Sequence, residues 1–96
     1  MRKRNAESLS EVLGQFLHVS HLETPLLEYR LVQSWPNVAG KLIASHTGEI
    51  YIRNQKLHVR IDSPALRSEV QMGRSELVRK LNEGVGSIVI YDIIVY

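Results

Sequence analysis

The sequence predicts an α+β fold: helices packed on one face of a three-stranded mixed sheet, in the order α-α-β-β-α-(α)-β. Three observations predict it. Apolar residues recur at helical spacing through the first half of the chain, then switch to strict alternation at Glu49. Thr24-Pro25 and Ser63-Pro64 each pair a capping residue with a proline suited to the first helical position. A hairpin pattern over residues 49–61 is followed by a long helical stretch and then a β-branched run. The third strand therefore arrives by a crossover and can lie parallel to one strand of the hairpin.

The first helix is expected from Ser8, which forms a capping box with Glu11, to about Leu17, with Leu9, Val12, Leu13 and Phe16 on its apolar face. Residues 18–23 read as a connector. Thr24 is the expected N-cap of the second helix, whose buried stripe is Leu27, Leu31 and Trp35, with Leu26 beside it. Pro36 disfavours α geometry at Trp35, so that helix ends or kinks there. A short helix over residues 37–45 carries Val38, Leu42 and Ile43, and Gly48 is its expected stop.

In the first strand, Ile50 and Ile52 point one way and Glu49, Tyr51 and Arg53 the other. In the second, Leu57, Val59 and Ile61 are the apolar set, and Asn54-Gln55 forms a tight turn between the two. One face of this antiparallel pair is packed and the other wet. From Ser63 a helical segment runs to about Glu83 with Leu66, Val70, Leu77 and Leu81 inward. Gly73 makes it either one kinked helix or two. Residues 82–86 stop it. Residues 87–96 form the last strand, apolar on both faces, which suits a central strand or an exposed binding face. Asp92 shares a face with Ile88, Ile90, Ile94 and Tyr96. The opposite face, with Val89, Tyr91, Ile93 and Val95, has no charge and is assigned to the core.

The chain has 96 residues, 44% of them hydrophobic and 23% charged, which excludes repeat, collagen-like and disordered classes. There is no cysteine, so disulfides, thiol nucleophiles and cysteine metal sites are excluded. No apolar run approaches the roughly 20 residues needed to span a bilayer, and no signal-type stretch follows the basic Arg2-Lys3-Arg4. A cytoplasmic protein with no membrane association is expected. Lysine and arginine exceed aspartate and glutamate by 12 to 10, a balance that permits a polyanionic partner without demanding one.

Walker, GxGxxG, GxSxG and HExxH motifs are absent. His18 and His21, with Glu23 near, lie in the connector and lack a rigid third or fourth ligand. His46 falls near a helix C-terminus and His58 on the wet sheet face, neither with a nucleophile beside it in sequence. Neither enzyme activity nor a cofactor or metal is expected.

The wet face carries Tyr51, Arg53, Lys56, His58 and Arg60 against one acid, Glu49: cations for phosphate beside a ring for stacking. Projected as one helix, residues 63–83 place Arg67 and Arg74 on one flank and Glu69, Glu76 and Glu83 on another. Arg53, Lys56, Arg60, Arg67 and Arg74 are thus the candidate nucleic-acid-binding residues. Trp35 is either a core anchor or an anchor for a partner. Ile90 and Ile94, set outside by the face assignment, make an apolar patch next to Tyr51 and the basic group. A protein partner, a tail or a second copy of the chain could cover it.

Several segments together carry a resemblance. They are Ser34-Trp35-Pro36-Asn37-Val38-Ala39-Gly40 followed by Leu42; His46-Thr47; Leu57-His58-Val59-Arg60-Ile61-Asp62-Ser63-Pro64-Ala65-Leu66-Arg67-Ser68-Glu69; and Leu77-Val78-Arg79-Lys80-Leu81-Asn82-Glu83. In combination, over about residues 8–96, the chain resembles the DciA-like family. The resemblance implies a KH-like fold of the type II order, a role in loading or operating the bacterial replicative DNA helicase, and affinity for DNA. Nucleotide-gripping KH domains carry a GxxG loop between two helices. The comparable stretch here, Gln71-Met72-Gly73-Arg74, has one glycine, so the usual KH backbone clamp is not expected. Many family members add a long basic extension after the domain. This sequence reaches Tyr96 at the end of the last strand, and functions of such an extension are not expected of it.

The reading is a flexible basic stretch over residues 1–7 and a single domain over residues 8–96. It is a non-enzymatic adaptor that binds the replicative helicase and, weakly and without sequence preference, nucleic acid. The competing readings are an RNA-binding KH-like protein and a pure protein-interaction or dimerisation module that uses the apolar last strand, with a homodimer possible.

Overall fold

The computed structural model describes residues 23–96. The expected first helix, the basic stretch and the His18–His21 pair lie outside the described residues. The elements are α1 (Glu23–Gln33), α2 (Trp35–Ala39), α3 (Lys41–Ser45), β1 (Thr47–Arg53), β2 (Lys56–Ile61), α4 (Pro64–Met72), α5 (Arg74–Val85) and β3 (Asp92–Val95). They form an α+β structure on a mixed three-stranded sheet of order β1-β2-β3, with β1 and β2 antiparallel and β2 and β3 parallel. This arrangement is consistent with the type II KH order.

The helices pack on the sheet face that carries Leu57, Val59, Ile61 and Ile93. These four residues join Leu31, Trp35, Leu66, Val70, Leu81, Val89 and Ile90 in one buried cluster. Ile50, Ile52 and Val95 are half-buried against it. The alternation read in β1 and β2 therefore holds, and Ile93 and Val95 lie on the core side as assigned.

Proline placement governs the helical layer. Pro36 ends the preceding helix, Ser34 forms the turn, and Trp35 opens α2 rather than closing α1. Thr24 lies inside α1, which already includes Glu23. The single helix expected over residues 37–45 is two, α2 and α3, because Gly40 sits between them at φ 98°, ψ 162°. That region is open only to glycine. Nothing lies within 4 Å of a Cβ built there, so the cost of a side chain is backbone strain alone. Gly40→Ala is expected to lower stability by about 1–3 kcal/mol, read as a fall in thermal midpoint with an unchanged far-UV spectrum. A midpoint equal to wild type would show that the α2–α3 corner relaxes freely. One consequence of the split is that Leu42 points to solvent, 63% exposed. Gly48 is not a helix stop; the chain has already entered β1 at Thr47.

The Asn54-Gln55 turn has positive φ at both residues (54° and 62°) and connects the paired Arg53 and Lys56. This is the two-residue type I′ geometry whose twist matches that of the strands. Ser63 caps α4, its hydroxyl accepting from the Leu66 N–H at 3.3 Å. Gly73 divides the following segment into two helices, α4 and α5.

The last segment departs from expectation. β3 begins at Asp92 instead of Ser87, and it lies at the edge of the sheet, with β2 central. The cause is Asn82. Its side-chain oxygen accepts from the Val89 and Ile90 N–H groups at 3.0 and 3.1 Å, and its amide donates to the Ile90 carbonyl at 2.8 Å. The chain is thereby folded onto the end of α5 and cannot alternate as a strand. Ile90 turns inward, 1% exposed, and Tyr91 outward, 60% exposed. The expectation that Ile90 faces solvent and Tyr91 the core is corrected on both counts.

Candidate binding face of the sheet

Three cross-strand rows build the face opposite the helices. In the middle row Tyr51 pairs with His58 and His58 with Ile94. The Tyr51 and His58 rings stack with centroids 4.7 Å apart and planes 2° from parallel. Directly opposed positions on a sheet hold side chains close enough for this contact. At one end Arg53 pairs with Lys56 and Lys56 with Asp92. Asp92 in turn receives the Arg74 guanidinium, with Nε 3.3 Å from its carboxylate. Arg53 and Lys56 thus stand in a row that ends on the Arg74–Asp92 ion pair. Lys56 also places its Nζ 5.7 Å from the centre of the Tyr91 ring, within cation–π range.

At the other end Tyr96 lies beside β2, its N–H donating to the Val59 carbonyl and its carbonyl accepting from Ile61. Its phenol crosses the central strand and donates to the Glu49 carboxylate on β1 at 2.9 Å. That hydrogen bond to an anion is the main reason the Tyr96 hydroxyl is pushed up to about 12, with loss of hydration and the Glu49 charge adding to it. The phenol is a neutral donor across the physiological range. Arg60 sits on the same face. Its stem runs beside Gly48, where a Cβ would make ordinary contact with the Arg60 Cδ at 3.8 Å.

The structure brings together Tyr51, Arg53, Lys56, Arg60 and Ile94, and joins Arg74 to them through Asp92. Among the described residues, Arg53 and Arg60 are exposed and carry no ion pair. Arg67 is separate. It is half-buried and donates to the Ile61 carbonyl at 2.5 Å, clamping the end of β2 to α4. The single-helix projection that put Arg67 and Arg74 on one flank fails because the helix breaks at Gly73. The acidic stripe is likewise not continuous. On α5, Arg79 bridges Glu76 and Glu83, with Glu83 at 2.8 Å. The hydrogen bond from Arg79 holds the Glu76 carboxyl below its ordinary range, and the same contacts raise Arg79.

Two residues proposed for partner contact are not on this face. Ile90 is in the core. Trp35 is buried, 2% exposed, and its indole Nε1 donates to the Thr47 hydroxyl at 3.0 Å. Sequence reasoning missed the Tyr96–Glu49 bridge, the Lys56–Tyr91 contact and the His46–Asp62 pair, 2.7 Å apart at the mouth of the hairpin. The first had a signal, since Tyr96 shares the parity of Asp92. The others depend on loops whose path no periodicity encodes.

Fold and face together define the class: an α+β domain that covers one side of a mixed sheet with helices and presents stacked rings and exposed arginines on the other. The chain belongs to the DciA family, whose model, described as "Dna[CI] antecedent, DciA", matches residues 8–95. It is also similar to a UPF0232 protein of Corynebacterium glutamicum (strain R), with 26% identity over 93 residues. The match takes in 97% of this chain and 52% of that protein, so the chain spans about half the length of the curated relative it matches. Among the described residues, no helix is long and apolar enough to cross a membrane.

Proposed function

We propose that this chain is a non-catalytic adaptor of bacterial DNA replication, acting in the cytoplasm, that binds the replicative helicase. The observation that carries this reading is the family match across nearly the whole chain. The outer sheet face gives it weak, sequence-independent affinity for nucleic acid. Arg53 and Arg60 supply cations for phosphate, and the Tyr51–His58 pair supplies a ring face on which a base can stack. Lys56 and Arg74 add charge at one end, tempered by Asp92. Arg67, spent on a backbone carbonyl, contributes little. Ile94 and Tyr51 provide apolar surface for a protein contact at the same face.

The test has two arms. Purified replicative helicase is passed over the immobilised chain, and fluorescence anisotropy is measured with labelled single-stranded DNA, single-stranded RNA and duplex across a salt series. Reversing Arg53 and Arg60 to glutamate is expected to weaken binding alike for every sequence, because phosphate contacts carry no base information. At roughly 0.7 per contact on a single strand, losing two should flatten the log–log salt slope by about 1.4. Unchanged affinity and slope would remove the hairpin from the site. Tight binding of RNA alone would favour an RNA-binding protein, and failure to retain helicase would remove the adaptor role.

A further inference from the structure

We propose that β1 is the seam of a homodimer, in which two copies pair their first strands antiparallel about a twofold axis at Tyr51 and form one continuous six-stranded sheet.

The free edge follows from the hairpin. Arg53 and Lys56 flank a two-residue type I′ turn, so they exchange hydrogen bonds, and alternation makes Tyr51–His58 the next bonded pair. The other ladder agrees: the Val59 carbonyl and the Ile61 N–H go to Tyr96, so the backbone groups of His58 face β1. Ile50 and Ile52 therefore turn their N–H and C=O groups away from β2. Among the described residues nothing receives them. An unpaired strand edge is a template for another strand.

The side chains specify which strand. Placing Tyr51 opposite its own copy puts Ile50 opposite Ile52 of the second copy and Glu49 opposite Arg53 of the second copy. Ile50 and Ile52 carry the outward backbone groups, so they form the hydrogen-bonded pairs across the seam. Glu49–Arg53 falls at non-bonded positions, where opposed side chains approach most closely. One oxygen of each Glu49 carboxylate accepts from Tyr96 of its own copy, the other is left for Arg53 of the second copy, and by symmetry the ion pair occurs twice. On the core side, the paired isoleucines cover each other's half-exposed flanks. A cleft of about 260 Å³ lined by Val32, Trp35, Pro36 and Ile50 opens beside them. On the outer side, two tyrosines meet as a cross-strand aromatic pair. The bulge between Thr47 and Ile50 takes in Gly48 and Glu49, so regular pairing along β1 is confined to residues 50–53, Glu49 meets Arg53 at the margin of the seam, and the dimer is weak. No other register of this edge pairs opposite charges and like apolar residues at once. An unrelated extended segment would lack the reciprocal pairing.

The test is sedimentation of the whole chain over a wide concentration range without nucleic acid. A reversible monomer–dimer equilibrium is expected. Arg53→Glu sets two glutamates against each other at both ends of the seam and should raise the dimer dissociation constant by about tenfold or more. Glu49→Arg should do the same, and the double swap Glu49→Arg/Arg53→Glu should restore association. Circular dichroism checks that each variant is folded. A chain that stays monomeric, or a double swap that fails to rescue while folded, overturns the proposal. Neither result bears on helicase capture, which the single-copy surface would still support.

Discussion

Trp35→Ala is expected to lose about 3–5 kcal/mol, the usual cost of truncating a large buried aromatic. Trp35 is 2% exposed, and its neighbours in the cluster come from both layers. It also ties the α2 turn to the first residue of β1, through its indole N–H to Thr47. Thr47 in turn donates to the Ile43 carbonyl at 2.8 Å, so the truncation frees a relay that closes α3 onto the sheet. In a domain with about 5–15 kcal/mol in total, this substitution should leave a large unfolded fraction near body temperature. Chemical denaturation followed by far-UV circular dichroism measures it. A wild-type midpoint would move Trp35 out of the core and make it available to a partner.

Ile90→Asp should be more damaging still. It removes a fully buried aliphatic side chain and installs a carboxylate in the buried apolar cluster, so the charge must be buried unpaired or the segment must leave the core. A loss of about 5 kcal/mol or more is expected, amounting to global unfolding. Ile88→Asp, two residues earlier and 84% exposed, should change stability by no more than about 0.5 kcal/mol. Comparing the two melts isolates orientation from chemistry. Equal behaviour would show that the loop after α5 has no fixed facing.

Where local physics decided the outcome, the sequence was legible. Period-two alternation in residues 49–61 specified which side chains face the helices, because a one-residue slip would have put Leu57, Val59 and Ile61 in water. Positive φ at Asn54 was anticipated from its type, and Ser63-Pro64 marked a helix start that the hydroxyl cap realises. The failures are of one kind. Ile90 and Tyr91 obey Asn82, eight and nine residues away, rather than their own β-branched pattern. Arg67 and Arg74 obey the break at Gly73. Gly73 has φ −97°, and a Cβ there would make only ordinary contact at 3.6 Å. Nothing local demanded that break, so propensity alone left the choice between one helix and two. On the candidate face, the residue types were readable from alternation. Which cations are free was not, since that depends on Asp92 and on a backbone carbonyl at the end of β2.

The parallel pairing of β2 with β3 has a kinetic consequence. β1 and β2 are joined by two residues and can zip as soon as both exist, whereas the partner of the other side of β2 lies beyond two helices. Loop closure must be paid before that contact returns anything. Through synthesis of residues 62–91, the Val59 carbonyl and the Ile61 N–H therefore wait without their final partners, and a hairpin of high β-propensity stands with both margins bare. Docking of residues 92–96 is the step that commits the nascent chain. Slow refolding should trace to that event, and crowded unfolded chains should associate through the central strand before it occurs.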